Sequence, residues 1–193
     1  MSKFILGVTG ASGSIYAVRL LEELLKLGHE VFLVCTTCGE QVISYEVNLT
    51  LDHIVSKCKE YGGKLHLCEI DDLFAPIASG SFNIDAMVIL PCSMSTLGKI
   101  SHGIGDNLLT RAADVCIKEK RNLVVVPRET PLSTIHLKNM LTLSEMGVTV
   151  LPAMPGFYHK PKTIGDMVDA IIGRVMRNLE VENHLYHEWN GGL

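Results

Sequence analysis

Aromatic residues are scarce in this chain, 6% of it with a single tryptophan, and no stretch approaches the ~20 consecutive apolar residues that a bilayer-crossing helix needs. No basic tract is present either. Seventeen Lys and Arg face 21 Asp and Glu for a formal charge of −4, which argues against nucleic acid as a partner. Repeats and low-complexity linkers are missing, and 47% hydrophobic residues exclude an intrinsically disordered chain. Residues 1–8 run Met-Ser-Lys-Phe-Ile-Leu-Gly-Val without the apolar core and small-residue cleavage site of a secretory leader, so a cytoplasmic location is expected. The six cysteines include one C-x-x-C, Cys35 to Cys38, but Cys58, Cys68, Cys92 and Cys116 form no second pair. A four-ligand zinc site is therefore not expected, nor any other metal, and reduced, mostly buried thiols are.

What is present fits one domain. A chain of 193 residues buries roughly 70% of its extended surface without disulfides or metals. Its mean hydropathy of +0.26 is high for a small monomer with no membrane span. Surplus apolar surface points to subunit contacts, hence a homo-oligomer.

Near-continuous apolar runs at 4–8, 30–35, 86–90, 122–126 and 148–151 read as strands covered on both faces, as in a parallel sheet. Helical patterns at 15–27, 106–120, 135–146 and 164–179 separate or follow them. The region 39–82 reads as short helices, a further strand near 64–69 and a Gly/Ser loop. Gly28 and Gly147 follow two of the helices as C′ glycines, and Thr163 can cap the last one. The alternation specifies an α/β fold, a doubly wound parallel sheet in three αβα layers, with residues 1–193 as one domain and 180–193 as its tail.

Ligands of open α/β sheets bind beyond the carboxyl ends of the strands. Those ends read Thr9-Gly-Ala-Ser-Gly13, Thr36-Thr37, Pro91-Cys-Ser-Met-Ser-Thr96, Pro127-Arg-Glu-Thr130 and Pro152-Ala-Met-Pro-Gly-Phe-Tyr158, all rich in small, hydroxylated or charged residues. The first suits a phosphate at a helix N-terminus, or simply a tight strand-to-helix turn. It is not G-x-G-x-x-G, and the second strand ends in Cys35-Thr36 rather than an acid, so a mononucleotide such as FMN fits better than a nicotinamide dinucleotide. Ser93, Ser95 and Thr96 are candidate donors to it, or caps of the next helix. Arg111 and Lys118 share one side of a helix, as solvated charges or as phosphate ligands. Arg174 borders the apolar face of the last helix, where a long cation can snorkel. Alternatively Arg128, Glu129, Lys118 and Arg174 converge with Tyr158 on a second phosphate.

Taken together, residues 9–13, Pro91-Cys-Ser93, Arg111-Ala-Ala-Asp-Val115, Pro127-Arg-Glu-Thr-Pro-Leu-Ser-Thr-Ile-His136 and Pro155-Gly-Phe-Tyr-His159 resemble the UbiX/Pad1-type flavin prenyltransferases, in order and nearly without gaps from residue 3 to 189. The resemblance implies a flavodoxin-like fold and a homo-oligomer, usually a dodecamer, with sites at subunit interfaces. It implies transfer of a dimethylallyl group from dimethylallyl phosphate to N5 and C6 of reduced FMN without a metal. The prenylated FMN would serve a UbiD-type decarboxylase. Carried over motif by motif, Gly10, Ala11, Ser12, Thr36, Ser93, Met94, Ser95, Thr96 and Arg128 would hold FMN, Thr36 standing where a Ser is more usual. Tyr158 and Arg174, with Arg111 and Lys118 and with Trp189 as an aromatic face, would bind the donor. Ser12, Glu46, Lys118 and Glu129 would carry the catalytic proton and charge movements. Leu73 stands where relatives often have Trp. Two other readings are an FMN-dependent cysteine decarboxylase, whose P-x-M-N-x-x-M-W motif is missing, and a non-catalytic accessory subunit of an aromatic acid decarboxylase.

Overall fold

A computed structural model describes residues 1–186, 189 and 191. The elements follow in the order β1 (Lys3–Val8), α1 (Ser14–Lys26), β2 (Glu30–Cys35), α2 (Thr37–Val47), α3 (Leu51–Cys58), β3 (Lys64–Cys68), β4 (Ala86–Cys92), α4 (Met94–Ser101), α5 (Leu108–Lys118), β5 (Asn122–Pro127), α6 (Thr134–Glu145), β6 (Thr149–Val150) and α7 (Ile164–Asn178). One 3-10 turn at Pro76–Ala78 interrupts the run from β3 to β4.

All strands are parallel, in the order β3-β2-β1-β4-β5-β6. Without the added edge strand β3, the remaining five have the flavodoxin-like order, and the direction of travel reverses between β1 and β4. Side chains alternate across the sheet. Phe4, Leu6 and Val8 face α1, α2, α3 and α7, whereas Ile5, Met87 and Ile89 face α4, α5 and α6. Both faces are dry, which is why the strands read as unbroken apolar runs rather than alternating ones.

The expected strands and long helices are present, with shifted ends. Expected at residue 106, α5 begins at Leu108, because Asn107 caps it by accepting from Thr110 N (2.9 Å). The irregular middle resolves into α2, α3 and β3, with Thr36 and Thr50 as the two N-caps, each accepting a backbone N–H. The last strand shrinks to two residues, Thr149–Val150, at the edge of the sheet beside β5.

In the expected tail, residues 180–186 pack back along α7: Val181 is buried, Asn183 Nδ2 donates to Gly173 O (3.2 Å), and Tyr186 lies where a Cβ on Gly173 would be, 2.3 Å away. Across the sheet, α6 is inverted for a surface helix. It buries Asn139 and Leu143 while Ile135, Leu137 and Leu141 are 68%, 52% and 58% exposed. Among the described residues no helix is long and apolar enough to cross a membrane.

Candidate functional site

The strand order reverses at the carboxyl ends of β1 and β4, and the buried Thr9 ties them together. Its hydroxyl donates to Pro91 O (2.7 Å) and accepts from Ser93 N (2.8 Å). Above this tie opens a cleft of about 550 Å³, within the ~300–1,000 Å³ usual for small-molecule sites. Gly10 floors it from β1, Thr36 from β2, and Ser93, Ser95 and Thr96 from β4 and the first turn of α4. Five of the residues expected to hold a nucleotide are thus brought to one place. Gly10 is required there because a Cβ would come within 2.6 Å of Cys38 Cβ.

The expected anion site of the first loop is already taken. Glu46, near the end of α2, reaches the N-terminus of α1, where its Oε2 accepts from Gly13 N (2.9 Å), Ser14 N (2.9 Å) and Ser14 Oγ (2.7 Å). Partial burial alone would raise this carboxyl. Hydrogen bonds from the Ser12 and Ser14 hydroxyls and from the Gly13 and Ser14 amides outweigh it and hold the group down at about 2. The Gly13 and Ser14 amides are therefore not free for a ligand phosphate. The N-terminus of α2 at Thr36–Cys38, the α5 cap Asn107 and the N-terminus of α4 all line the cleft; the α4 cap Ser93 accepts from Thr96 N (3.2 Å) and donates to Thr96 Oγ1 (3.0 Å). Arg128 brings a cation to the first loop, its Nε donating to Ser12 O (3.3 Å).

Some expected residues are placed differently. Met94 buries its side chain in the core under α4 and Ala11 is buried too, so only their backbone can face a ligand. Glu129 accepts from the neighbouring Thr130 N (3.0 Å) on an exposed stretch. Convergence of Lys118 and Arg174 with Arg128, Glu129 and Tyr158 does not occur within one chain. Lys118 ends α5 just before β5 begins, at the amino edge of the sheet, a strand length or roughly 20 Å from the cleft. There it pairs with Glu119. Arg111 is held by Ala78 O (3.2 Å) and Asp114 (2.8 Å). Arg174 lies far down α7, whose last residue Asn178 accepts through its carbonyl from Asn122 Nδ2 (2.6 Å) at that same edge. Tyr158, 45% exposed, meets Trp189 edge to face with ring centroids 6.0 Å apart, while Phe74 is fully exposed.

Sequence reasoning missed Thr9 as the tie, and Cys38, Asp71 and Asn107 as cleft walls. Only the C-x-x-C drew attention to Cys38, and the two thiols part company. Cys35 is buried, which pushes it up to about 12, while Cys38 is exposed in the cleft. A neighbouring cavity of about 410 Å³ between α2, α3 and β3 carries Glu40, Asp52 and Glu69, and its charge is unsuited to a phosphate.

The family model described as Flavoprotein matches residues 1–176. The chain is 48% identical over 190 residues to the flavin prenyltransferase UbiX of Halalkalibacterium halodurans, covering 96% of this chain and 92% of that one. Among solved structures it is similar to AnUbiX (PadA1) in complex with FMN and dimethylallyl pyrophosphate, with a TM-score of 0.93 and 37% identity over 100% of this chain and 99% of the other. It is also similar to a dodecameric FMN-dependent UbiX-like decarboxylase from Escherichia coli O157:H7, with a TM-score of 0.91 and 42% identity over 98% and 100% of the two chains.

Proposed function

The chain belongs to the flavin prenyltransferase (UbiX) family of flavoproteins, and from that membership we propose how its own residues divide the work. It is a prenyltransferase that joins a dimethylallyl group to N5 and C6 of reduced FMN, making prenylated FMN. The flavin supplies the nucleophilic ring. The protein holds both partners, stabilises the departing phosphate and moves a proton. The observation that carries this reading is the hydroxyl-lined cleft at the β1/β4 reversal, closed by Gly10, Thr36, Ser93, Ser95 and Thr96.

In this reading the FMN phosphate sits on the free amides of the first turn of α4, with Ser95, Thr96 and Arg128 around it. The Gly10–Ser12 backbone and Thr36 flank the ring system, Gly10 because it lets a ligand approach the chain closely.

The donor phosphate needs fixed cations, since charge develops on its bridging oxygen as the allylic carbon departs. Arg111, Lys118, Arg174 and the Tyr158 hydroxyl supply this from neighbouring protomers, with no metal required. Two observations support the assignment. Arg174 makes no side-chain hydrogen bond or ion pair among the described residues, and α6 presents Ile135, Leu137 and Leu141 to solvent as a contact face. A dodecamer is the assembly we assign. Glu129 would donate a proton to the leaving phosphate where its neutral form is held, and Trp189 faces the allylic cation, worth about 1–2 kcal/mol when dry. Ser12, whose hydroxyl donates to the Glu46 carboxylate, would relay the C6 proton toward that group.

The product serves a UbiD-type decarboxylase, and the six free thiols support a cytoplasmic location. The test is to incubate the pure protein with reduced FMN and dimethylallyl phosphate and to look for the prenylated flavin mass. Absence of that species would leave a non-catalytic accessory role standing.

A further inference from the structure

Ser14 opens α1 and is only 1% exposed, while Gly13 ahead of it, in the left-handed region at φ 108°, has no side chain with which to cap the helix. The cap comes instead from Glu46 on α2. A cap needs only an acceptor for the Gly13 and Ser14 amides, which any residue at position 14 would present. The Ser14 hydroxyl does more. It donates to Glu46 Oε2 at 2.7 Å, its one side-chain hydrogen bond among the described residues. Being buried, it has no water to turn to, so losing Glu46 would strand it at a cost.

The two carboxylate oxygens are therefore unequal. Oε2 accepts from Gly13 N (2.9 Å), Ser14 N (2.9 Å) and Ser14 Oγ (2.7 Å), whereas Oε1 receives one long contact, from Gly13 N (3.3 Å). With about two lone-pair positions on each oxygen, Oε2 is full and Oε1 is open. The Ser12 hydroxyl also bonds to this carboxylate. No ion pair involves Glu46 among the described residues. Of the charged and titratable groups around it, Arg128 spends its Nε on Ser12 O (3.3 Å), the Tyr16 ring of α1 lies over Gly13, and Asp52 and His53 stand in the first turn of α3, the other helix packed on α2. Hydrogen bonds alone orient the carboxylate.

Resting on the reading of Glu46 as acceptor of the C6 proton, we infer that Ser14 is a positioning residue for prenyl transfer, saturating Oε2 so that Oε1 is the oxygen open to the Ser12 relay. In ring closure the C6–H bond breaks and its electron pair stays in the ring. The proton goes to Ser12 Oγ while the Ser12 hydroxyl proton passes to Oε1. A general base must stand within hydrogen-bond reach of the proton it takes, so a fixed carboxylate speeds the transfer through geometry. The same hydrogen bond helps to hold the group at about 2 and makes it a weaker base. Orientation outweighs that loss, because a ring carbon that has just formed a fourth bond gives up its proton readily.

The test uses Ser14→Ala, with Ser14→Thr, which keeps the hydroxyl, beside it. On the flavin-free protein, carbon-13 NMR follows the Glu46 carboxyl as pH is lowered. Protonation should begin about one pH unit higher in Ser14→Ala than in the wild type, and close to the wild type in Ser14→Thr. With reduced FMN and dimethylallyl phosphate, Ser14→Ala should lose about tenfold in kcat with both KM values within about twofold, and Ser14→Thr should recover most of the loss. An unchanged onset of protonation, an unchanged kcat, a loss that falls on KM, or a threonine variant as slow as the alanine one overturns the proposal. Full product yield from Glu46→Gln overturns the reading of Glu46 and this inference with it. An inactive Glu46→Gln beside a fully active Ser14→Ala overturns the role of Ser14 alone.

Discussion

The Glu46 carboxylate meets the Ser14 hydroxyl at 2.7 Å, joining the end of α2 to the start of α1 across 32 residues of sequence. This contact caps α1 with the carboxylate that the proposed function uses as proton acceptor. The Glu46→Gln variant is expected to bind FMN and to stall before ring-closed product, seen as loss of the prenylated mass with retained flavin. Normal product yield would remove Glu46 from the mechanism. The stability consequence has a definite sign, because the carboxyl is lowered from 4.5 to about 2 in the folded protein. Its stabilisation is complete above about pH 4.5 and is lost as pH falls toward 2. The exposed carboxylate is screened by solvent, so at neutral pH the difference from Glu46→Gln belongs at the low end of the ~0.3–1 kcal/mol of a charge at a helix terminus. Melting temperatures of the two proteins are expected to converge in acid.

Replacing Thr9 by Val keeps the shape but strips Ser93 N of its acceptor and Pro91 O of the hydroxyl that donates to it. An unsatisfied buried group costs about 1–3 kcal/mol. Thermal melts should fall accordingly and FMN affinity with them, since Ser93 caps α4, whose first turn lines the cleft. A variant with undiminished affinity would show that the tie does not shape the cleft.

The close approach of Gly10 to Cys38 predicts a reciprocal pair. Gly10→Ala forces a methyl to within 2.6 Å of Cys38 Cβ, and overpacking of this kind costs about 1–3 kcal/mol. Flavin titration should show weakened binding, partly restored by adding Cys38→Gly. Failure of the second change to rescue the first would mean that the alanine obstructs the ligand itself.

Leu141, 58% exposed on α6, is expected to lie between protomers. Leu141→Glu should lower the assembly mass in sedimentation and, with it, prenyl transfer, since the proposed function draws Arg111, Lys118 and Arg174 from neighbouring protomers. A smaller assembly with full turnover would refute a shared site.

Gly173 admits the tail, since any Cβ there would strike Tyr186 at 2.3 Å. Gly173→Ala should dislodge residues 183–186 and carry Trp189 off Tyr158. The expected kinetic signature is a raised donor KM with unchanged FMN affinity; equal losses in both would point to general damage to α7.

The amino-acid order alone determined the sheet and most of its helices. Strands buried on both faces must be apolar throughout, and residues such as Thr50 and Thr163 announce helix starts through chemistry confined to a few neighbouring positions. It also placed Thr36, Ser93, Ser95 and Thr96 at one cleft, because each follows a strand and strand ends are where such sheets bind. Only the folded chain decided that Glu46 takes the anion site at α1, that Thr9 bridges β1 and β4, and that Lys118 and Arg174 turn away from the cleft of their own protomer. Those outcomes depend on contacts between residues tens of positions apart and on the antiparallel course of each helix against its strand. Local periodicity and capping patterns carry no record of either.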